Sequence, residues 1–451
     1  RSRRKGQSKF IHYIIAIRNT TAMGQPVPHT LVVIGGGAAG LFCAVNAARM
    51  APSLQVIVVE KSSKLLAKVK VSGGGRCNVT HACFDRLDLP GYYPRGAPFV
   101  KRYQHSFFTT DTIEWFAARQ VNLKTEADGR MFPVSDNSQT IIDVLLHEAA
   151  LYGVQIRLKT GVQRIESSMS SLSSPFIVHT QSGDSIVADF CCIACGGFTQ
   201  AASFDWIRQL GHSIEDPVPS LFTFNAPKHP IVSLQGVSVP AVSVKISGTK
   251  LVQTGPLLIT HWGLSGPAIL KLSAYGAREL ADRNYSFDTQ VNWLGRSDHS
   301  AASVSVYMAE QRRQHPAQKI SNGKLPVIPQ RLWEFFLGQA TIAPDQRWAD
   351  LSRREENLLI RLLTDMSIHI EGKTTFKEEF VTAGGVMLAE IDSATMMSKK
   401  VAHLYFAGEI MNVDGITGGF NFQHAWSSGM LAARAIAAAQ GQMGQGGRTE
   451  I

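Results

Sequence analysis

Along the chain, short apolar runs alternate with longer stretches whose apolar positions recur at helical spacing. His29-Thr30-Leu31-Val32-Val33-Ile34 is a β-branched run of the kind that fills a strand buried on both faces. Residues 38 to 50 carry Gly40 but no other glycine and no proline, and the pattern predicts a helix; Gln55-Val56-Ile57-Val58-Val59 predicts a second strand. Further on, helices are expected over 110–124, opened by Thr110-Asp111, and over 138–152, opened by Ser138. Between them "GRMFPVSD" (129–136) reads as a loop. Strands around 154–165 and 176–188 lead into "ADFCCIACGG", a buried strand that returns to the sheet. From about residue 199 the segments become Pro-punctuated and β-branched, which predicts an antiparallel sheet or small barrel. Residues 307–363, rich in Arg, Gln, Glu and Leu, predict helices. Residues 375–388 turn back to strand and glycine, and 403–439 read as a buried strand, a glycine-rich loop and a long alanine-rich helix.

The first strand–helix junction carries chemistry. Its glycines stand in the order Gly35-x-Gly37-x-x-Gly40, followed by a second strand that ends at Glu60, twenty residues after Gly40. Such a loop needs glycine where the chain turns tightly, where backbone approaches a pyrophosphate, and where helix packs on strand. The helix start offers unpaired N–H groups and a partial positive charge to the phosphates, and the acid accepts from ribose hydroxyls. A dinucleotide site follows, and an acid at that position favours FAD or NAD over NADP.

A length of 451 residues calls for two or three domains. The net charge of +10 is concentrated: Arg1, Arg3, Arg4, Lys5, Lys9 and Arg18 contribute six positive charges within the first 22 residues, leaving +4 over the other 429. So modest an excess does not call for nucleic acid as a partner. Residues 1–27 are read as a disordered extension, with Met23 as the natural start. The apolar stretch from Phe10 to Ile17 is short, contains His12 and precedes no small-x-small cleavage site, so export is disfavoured and a cytoplasmic location is expected. No apolar run reaches the roughly 18 residues of a membrane span. Six cysteines are too few for a disulfide scaffold; Cys192 and Cys195 fall on one buried strand and no metal site is expected.

The segment near the carboxyl end distinguishes between dinucleotides. "LYFAGE" is a strand and "GITGGFNF" a second glycine-rich helix start, far from the first. FAD is long, and its pyrophosphate and isoalloxazine ring need separate anchors; a second helix start lies well against the ring edge that becomes negative on reduction. Glu409, ending its strand, is suited to ribityl hydroxyls.

Taken together, "VIGGGAAG" with Glu60-Lys61, "VKVSGGGRCNVT", "GRMFPVSD", "THWGLSGPAIL", "VTAGGV" and "FAGEIMNVDGITGGFNFQHAWSSG" resemble the aminoacetone-oxidase-like, BaiN-type family of NAD(P)/FAD-dependent oxidoreductases, over residues 28 to 439. The resemblance implies an α/β fold of the glutathione-reductase-like superfamily. Its Rossmann-type FAD-binding domain is split into 28–198 and 381–440 by an inserted β-barrel-like and helical domain, 199–380, with a tail over 441–451. It also implies flavin contacts at Gly35, Gly37, Ala38, Ala39, Gly40, Glu60, Lys61, Ser72, Gly73, Gly74, Gly75, Arg76, Cys77, Asn78, Val162, Ala194, Gly196, Gly197, Gly408, Glu409, Asp414, Gly418, Gly419, Asn421 and Phe422. Two positions depart from the pattern: Cys195 stands where the superfamily often has Thr, and His81 where the family often has Asn.

Electron transfer belongs to the flavin, so the chain must place a small or medium organic substrate over it. His261 in "THWGLSGPA" is a candidate proton donor or substrate ligand, and Arg130 a candidate partner for an anionic substrate. His424 is weighed as a packing residue. No second strand–GxGxxG–helix unit is visible, so NAD(P)H is expected to dock transiently as reductant. The alternatives are an oxygen-dependent amine oxidase, a flavin–dithiol reductase using Cys77 and Cys83, and an FAD-binding factor acting through a partner or nucleic acid.

Overall fold

The computed structural model describes residues 28–167, 176–295, 300–375 and 381–446. The expected extension, residues 1–27, and the end of the tail lie outside these. The first strand, β1 (Thr30–Ile34), lies at the centre of a five-stranded parallel sheet. On one side it pairs with β2 (Gln55–Val59), which pairs in turn with β3 (Gln155–Arg157). On the other side it pairs with β4 (Phe190–Ile193), which pairs with β5 (Leu404–Phe406). Leu31, Val32 and Val33 are wholly buried, which is why this strand is apolar without alternation.

Helix α1 (Ala38–Met50) packs along α2 (Phe420–Gly446). Both are lined with small residues, and the approach is close: a Cβ on Gly429 would come within 2.8 Å of Ala39 O. Two ends of the sequence thus meet on one face of the sheet, as a split domain requires.

Three local expectations are corrected. The "GRMFPVSD" segment is not a loop throughout: Arg130–Pro133 is the central strand of a small antiparallel sheet, between Thr80–His81 and Leu123–Thr125. Met131 and Phe132 are buried there, and Gly129 makes the entering turn at φ +85°. The helix expected over 110–124 spans only Thr109–Ala117, because Gln120 adopts φ +63° and the chain then enters the strand Leu123–Thr125. The next helix is capped by Asn137, whose Oδ1 accepts from Gln139 N at 2.9 Å, while Ser138 Oγ donates to Lys70 O.

The second unit is an antiparallel seven-stranded sheet whose edge strands, Met366–Glu371 and Lys373–Thr374, flank Gly372 (φ +96°). Edges that are neighbours in sequence make the sheet curl on itself, giving the barrel-like form. Helices Ala301–Gln314, Gln330–Gln339 and Arg353–Thr364 close it around Trp293, Trp333 and Trp348, all fully buried. The first core still includes Phe204 and Ile207, whereas the second begins at Phe222, later than residue 199. The connection between the units is a pair of antiparallel strands, Ile214–Ser220 and Val381–Val386.

Candidate functional site

All five parallel strands point the same way, and the loops leaving their carboxyl ends converge where open α/β sheets bind ligands. The first loop divides three roles among three glycines. Gly35 takes φ +116°, and a Cβ there would overlap the Ala194 backbone. A Cβ on Gly40 would overlap Gly35 O, so glycine lets α1 sit against β1. Gly37 faces open space, with no side chain capping the helix start; its backbone and the N–H groups of Ala38, Ala39 and Gly40 are free to meet a phosphate.

Glu60 holds this loop. Its two carboxylate oxygens accept from Gly36 N and Ser62 N, each at 2.8 Å. A carboxylate offers about four acceptor directions, which leaves capacity for ribose hydroxyls. Lys61 extends over the Phe198 ring at 5.7 Å, and Val162 begins the strand Val162–Ser167 just beyond the loop that bonds back to Glu60 O through Thr160 N.

Ser72 leaves helical geometry at ψ 147°, and Gly73, Gly74 and Gly75 follow at φ +59°, +69° and +84°. Gly74 and Gly75 meet nothing, so this loop presents bare backbone. It is braced from behind, where the Arg76 guanidinium lies 4.0 Å from the Phe132 ring centre and pairs with Glu126. Asn78 links the two glycine-rich loops, its amide oxygen 3.0 Å from Gly419 N and its nitrogen 2.9 Å from Thr80 O. Cys77 is fully buried at φ +64°, and burial pushes its thiol up to about 12; Cys83 is pushed up to about 11. Thiols held protonated at neutral pH speak against the dithiol alternative.

After β4 come Ala194, Gly196 and Gly197, beside Glu409, which follows β5. Glu409 Oε1 accepts from Thr382 N at 2.9 Å and Oε2 pairs with Lys68 Nζ at 2.6 Å. Thr382 Oγ1 is buried there without a partner among the described residues. Gly408 is clamped by α2: its N–H donates to Ser428 Oγ at 2.9 Å, and its carbonyl accepts from His424 Nε2 at 3.3 Å. His424 Nδ1 in turn takes the Tyr103 hydroxyl at 2.7 Å, and burial lowers this imidazole to about 4. His424 is therefore a neutral positioning residue.

Around the start of α2, Gly418 (φ +126°) and Gly419 (φ +95°) lie against Thr80 and His81. Asn421 uses both ends of its amide on the backbone of Gly415, at 2.8 and 2.9 Å, and Phe422 stacks on Trp426. Asp414, expected at the flavin, is fully buried with both oxygens taken by Arg95, and Oδ2 also by Ser220 Oγ at 2.9 Å. Its side chain thus serves the contact between the two units, which leaves only its backbone for a ligand.

The open backbone at Gly37, Gly74 and Gly75, the uncapped start of α1 and the unpartnered Thr382 hydroxyl beside Glu409 fit FAD. Gly35 to Gly40 would hold the pyrophosphate, Glu60 the adenosine ribose, Glu409 the ribityl chain, and the Ser72–Asn78 and Gly418–Phe422 backbones the ring.

The two residues expected to do chemistry sit differently. His261 is exposed in the turn between the strands Val252–Thr260 and Gly263–Ser265, its ring against Trp262. Arg130 is already engaged by Glu126 at 3.0 Å and Asp128 at 2.7 Å. Arg130 lies beside the glycine cradle, paired across the strands with His81 and 5.4 Å from the Phe132 ring centre, whereas among the described residues His261 is not brought to it. Sequence reasoning missed Arg95, Tyr92, Lys271 and Tyr275. "LDLPGYYPRG" and the face of the helix after "GLSGP" carried the signal: aromatic and cationic residues in irregular chain and at i, i+4 spacing.

Residues 29–435 match the family described as HI0933-like protein Rossmann domain. Among curated relatives, the ribosomal RNA dihydrouridine synthase of Escherichia coli (strain K12) is 32% identical over 91% of this chain and 98% of its own. The 3-dehydro-bile acid delta(4,6)-reductase of Clostridium scindens is 28% identical over 90% and 98%. Among solved structures, a flavocytochrome c3 fumarate reductase in its open conformation aligns over 96% of this chain and 81% of its own, at 15% identity and TM-score 0.47. The chain belongs to the HI0933-like Rossmann family and is an FAD-dependent oxidoreductase.

Proposed function

We propose that the protein is a reductase that saturates a carbon–carbon double bond conjugated to a carbonyl. The observation that carries this reading is that two relatives, each aligned over nine-tenths of the chain, bear names describing the same type of reaction on different molecules. Dihydrouridine arises when the ring double bond beside a uridine carbonyl is saturated. A 3-dehydro-bile acid delta(4,6)-reductase acts, by its name, on double bonds of a ketone-bearing ring. FAD, once reduced, supplies a hydride. The acceptor gains that hydride at the carbon remote from its carbonyl and a proton at the nearer one. NAD(P)H, oxidised to NAD(P)⁺, returns the flavin to its reduced state. The inserted unit is a curled antiparallel sheet with helices, without a parallel strand–helix–strand unit among its described residues, in keeping with transient docking of the nicotinamide.

Uridine in RNA is the second reading of the acceptor, in place of a free small molecule. It is favoured by a further relative of the same name from Haemophilus influenzae, 29% identical over 90% of this chain. It runs against the expectation that the modest charge of residues 23–451 does not call for nucleic acid, and towards the alternative of a factor acting on nucleic acid. The test reduces the yellow protein anaerobically with NADH or NADPH and then adds either ribosomal RNA or 2-cyclohexen-1-one. Return of the oxidised flavin spectrum with one acceptor identifies its class. Bleaching by amines but by neither nicotinamide would replace the reductase with an oxidase.

A further inference from the structure

We propose that the contact between the two units beside α2 is the acceptor site, and that Lys271 binds the acceptor's carbonyl oxygen; this rests on the reductase reading above. Helix Pro267–Tyr275 belongs to the inserted unit, and its Lys271 and Tyr275 are one turn apart on the same face. Tyr275 hydroxyl donates to Gly91 O at 2.8 Å, which holds this face against the 89–95 loop of the flavin unit. The next residue, Tyr92, is half-buried and stacks on Phe420, with ring centres 4.4 Å apart and planes inclined by 13°. Phe420 is the first residue of α2, and His81 packs on it at 4.6 Å while its Nδ1 lies 3.2 Å from Gly418 O.

This makes an aromatic stack at the helix start assigned to the flavin ring, with Phe420 buried between the half-buried rings of Tyr92 and His81. Lys271 is half-exposed and has no acidic partner among the described residues; burial lowers the His81 imidazole, and the Lys271 charge adds to this against the opposing charge of Asp128. The other cation acting on His81, Arg130, is neutralised by Glu126 and Asp128. Lys271 is thus a cation without an acidic partner among the described residues, on the helix face that Tyr275 holds against the loop carrying Tyr92. That combination suits a planar, carbonyl-conjugated ring, whether the base of a uridine or a cyclic enone. FAD, when bound and reduced, would supply the hydride for the remote carbon; the double-bond pair would then move onto the carbonyl oxygen, and the Lys271 ammonium would meet that charge until a solvent proton adds to the nearer carbon and the carbonyl re-forms.

A phenolate resembles the charged acceptor and gives a long-wavelength charge-transfer band on oxidised flavin, so 4-chlorophenol serves as the probe without turnover. The FAD-loaded wild type is expected to show the band. Lys271→Met should weaken 4-chlorophenol by at least about tenfold, with FAD retention and Tm unchanged. Lys271→Arg should stay within about threefold, because it keeps the charge. Tyr92→Leu should weaken the probe through lost stacking. A Lys271→Met protein that binds the probe as the wild type does, or a wild type without the band, overturns the proposal. Failure of both RNA and 2-cyclohexen-1-one to reoxidise the reduced wild type overturns the reductase reading instead, and the phenolate titration judges Lys271 separately.

Discussion

The two glycine-rich helix starts look alike in sequence and are built by opposite means. At the start of α1, main chain sets most of the conformation: Gly35 and Gly40 are glycine because a Cβ would overlap the backbone of Ala194 and of Gly35, and one side chain, Glu60, two dozen residues on, completes the loop. At the start of α2, side chains from distant segments hold the glycines. Asn78 and His81 reach Gly419 and Gly418 from the first half of the chain, Arg95 and Ser220 fix Asp414, and Tyr103 fixes His424. A loop constrained by its own backbone carries its signature locally. A loop assembled from afar does not, and it depends on the integrity of the whole fold.

The sharpest way to break the second start is through its buried ion pair. Asp414 is fully buried and Arg95 nearly so, and the pair joins the flavin unit to Ala274 and Ser220. Asp414→Asn leaves the guanidinium without a counter-charge, and a loss of about 3–5 kcal/mol is expected by urea unfolding. A loss below about 1 kcal/mol would mean that the seam relaxes freely and that this start does not depend on distant residues.

His424 gives the same start a pH dependence. Its imidazole takes a proton near 6.5 in the unfolded chain but only near about 4 when folded, because burial disfavours the charge. Between those values the unfolded state holds more protons, so stability falls as pH drops from 6.5 towards 4 and is constant above 6.5. By pH 5 the effect is about 2 kcal/mol. The other lowered histidines act in the same direction, so the measurement is the difference between wild type and His424→Gln. The variant should have the lower Tm at pH 7 and the shallower decline to pH 5; parallel declines would rule out His424 as the source.

At the first start, substitution separates fold from ligand. Gly40→Ala drives a methyl into Gly35 O and should cost roughly 1–3 kcal/mol whether or not FAD is present. Gly37→Ala meets nothing and sits at an ordinary φ of −87°, so the apoprotein Tm should be unchanged while FAD binds more weakly. Equal effects of the two on apoprotein stability would remove the distinction between packing glycine and phosphate glycine.

What could be read from sequence follows the same division. The parallel core, α1, Glu60 and the long last helix were legible because β-branched runs, helical spacing and backbone-forced glycines are local. The barrel-like insert was visible as a change in pattern, but its first strand pair was not placed, since Ile214–Ser220 and Val381–Val386 pair across more than 160 residues. Arg130 was legible as a charge, but its partners Glu126 and Asp128, in the turn beside it, were not. The Tyr92–Phe420 stack and the Tyr275–Gly91 contact were hidden: nothing in the chain order announces that residue 92 meets 420 or that residue 91 meets 275.

The smallest expected effect concerns Glu60, the one side chain on which the first start relies. Both of its oxygens hold backbone N–H groups, so Glu60→Gln keeps one acceptor oxygen but offers an NH₂ to a second donor. If Glu60 also binds the adenosine ribose, the variant loses that contact along with one strut of the loop. The FAD Kd should rise by about tenfold, near 1.4 kcal/mol, and Glu60→Asp, a methylene shorter but still charged, should fall between variant and wild type. The fold should survive, since the carboxylate lies half-buried beyond the carboxyl end of β2 rather than in the core. Isothermal titration of apoprotein with FAD, and separately with ADP, reads the two halves of the cofactor independently. A loss shared by FAD and ADP assigns Glu60 to the adenosine end, whereas a loss with FAD alone would move it towards the flavin and undo the division of labour between the two helix starts.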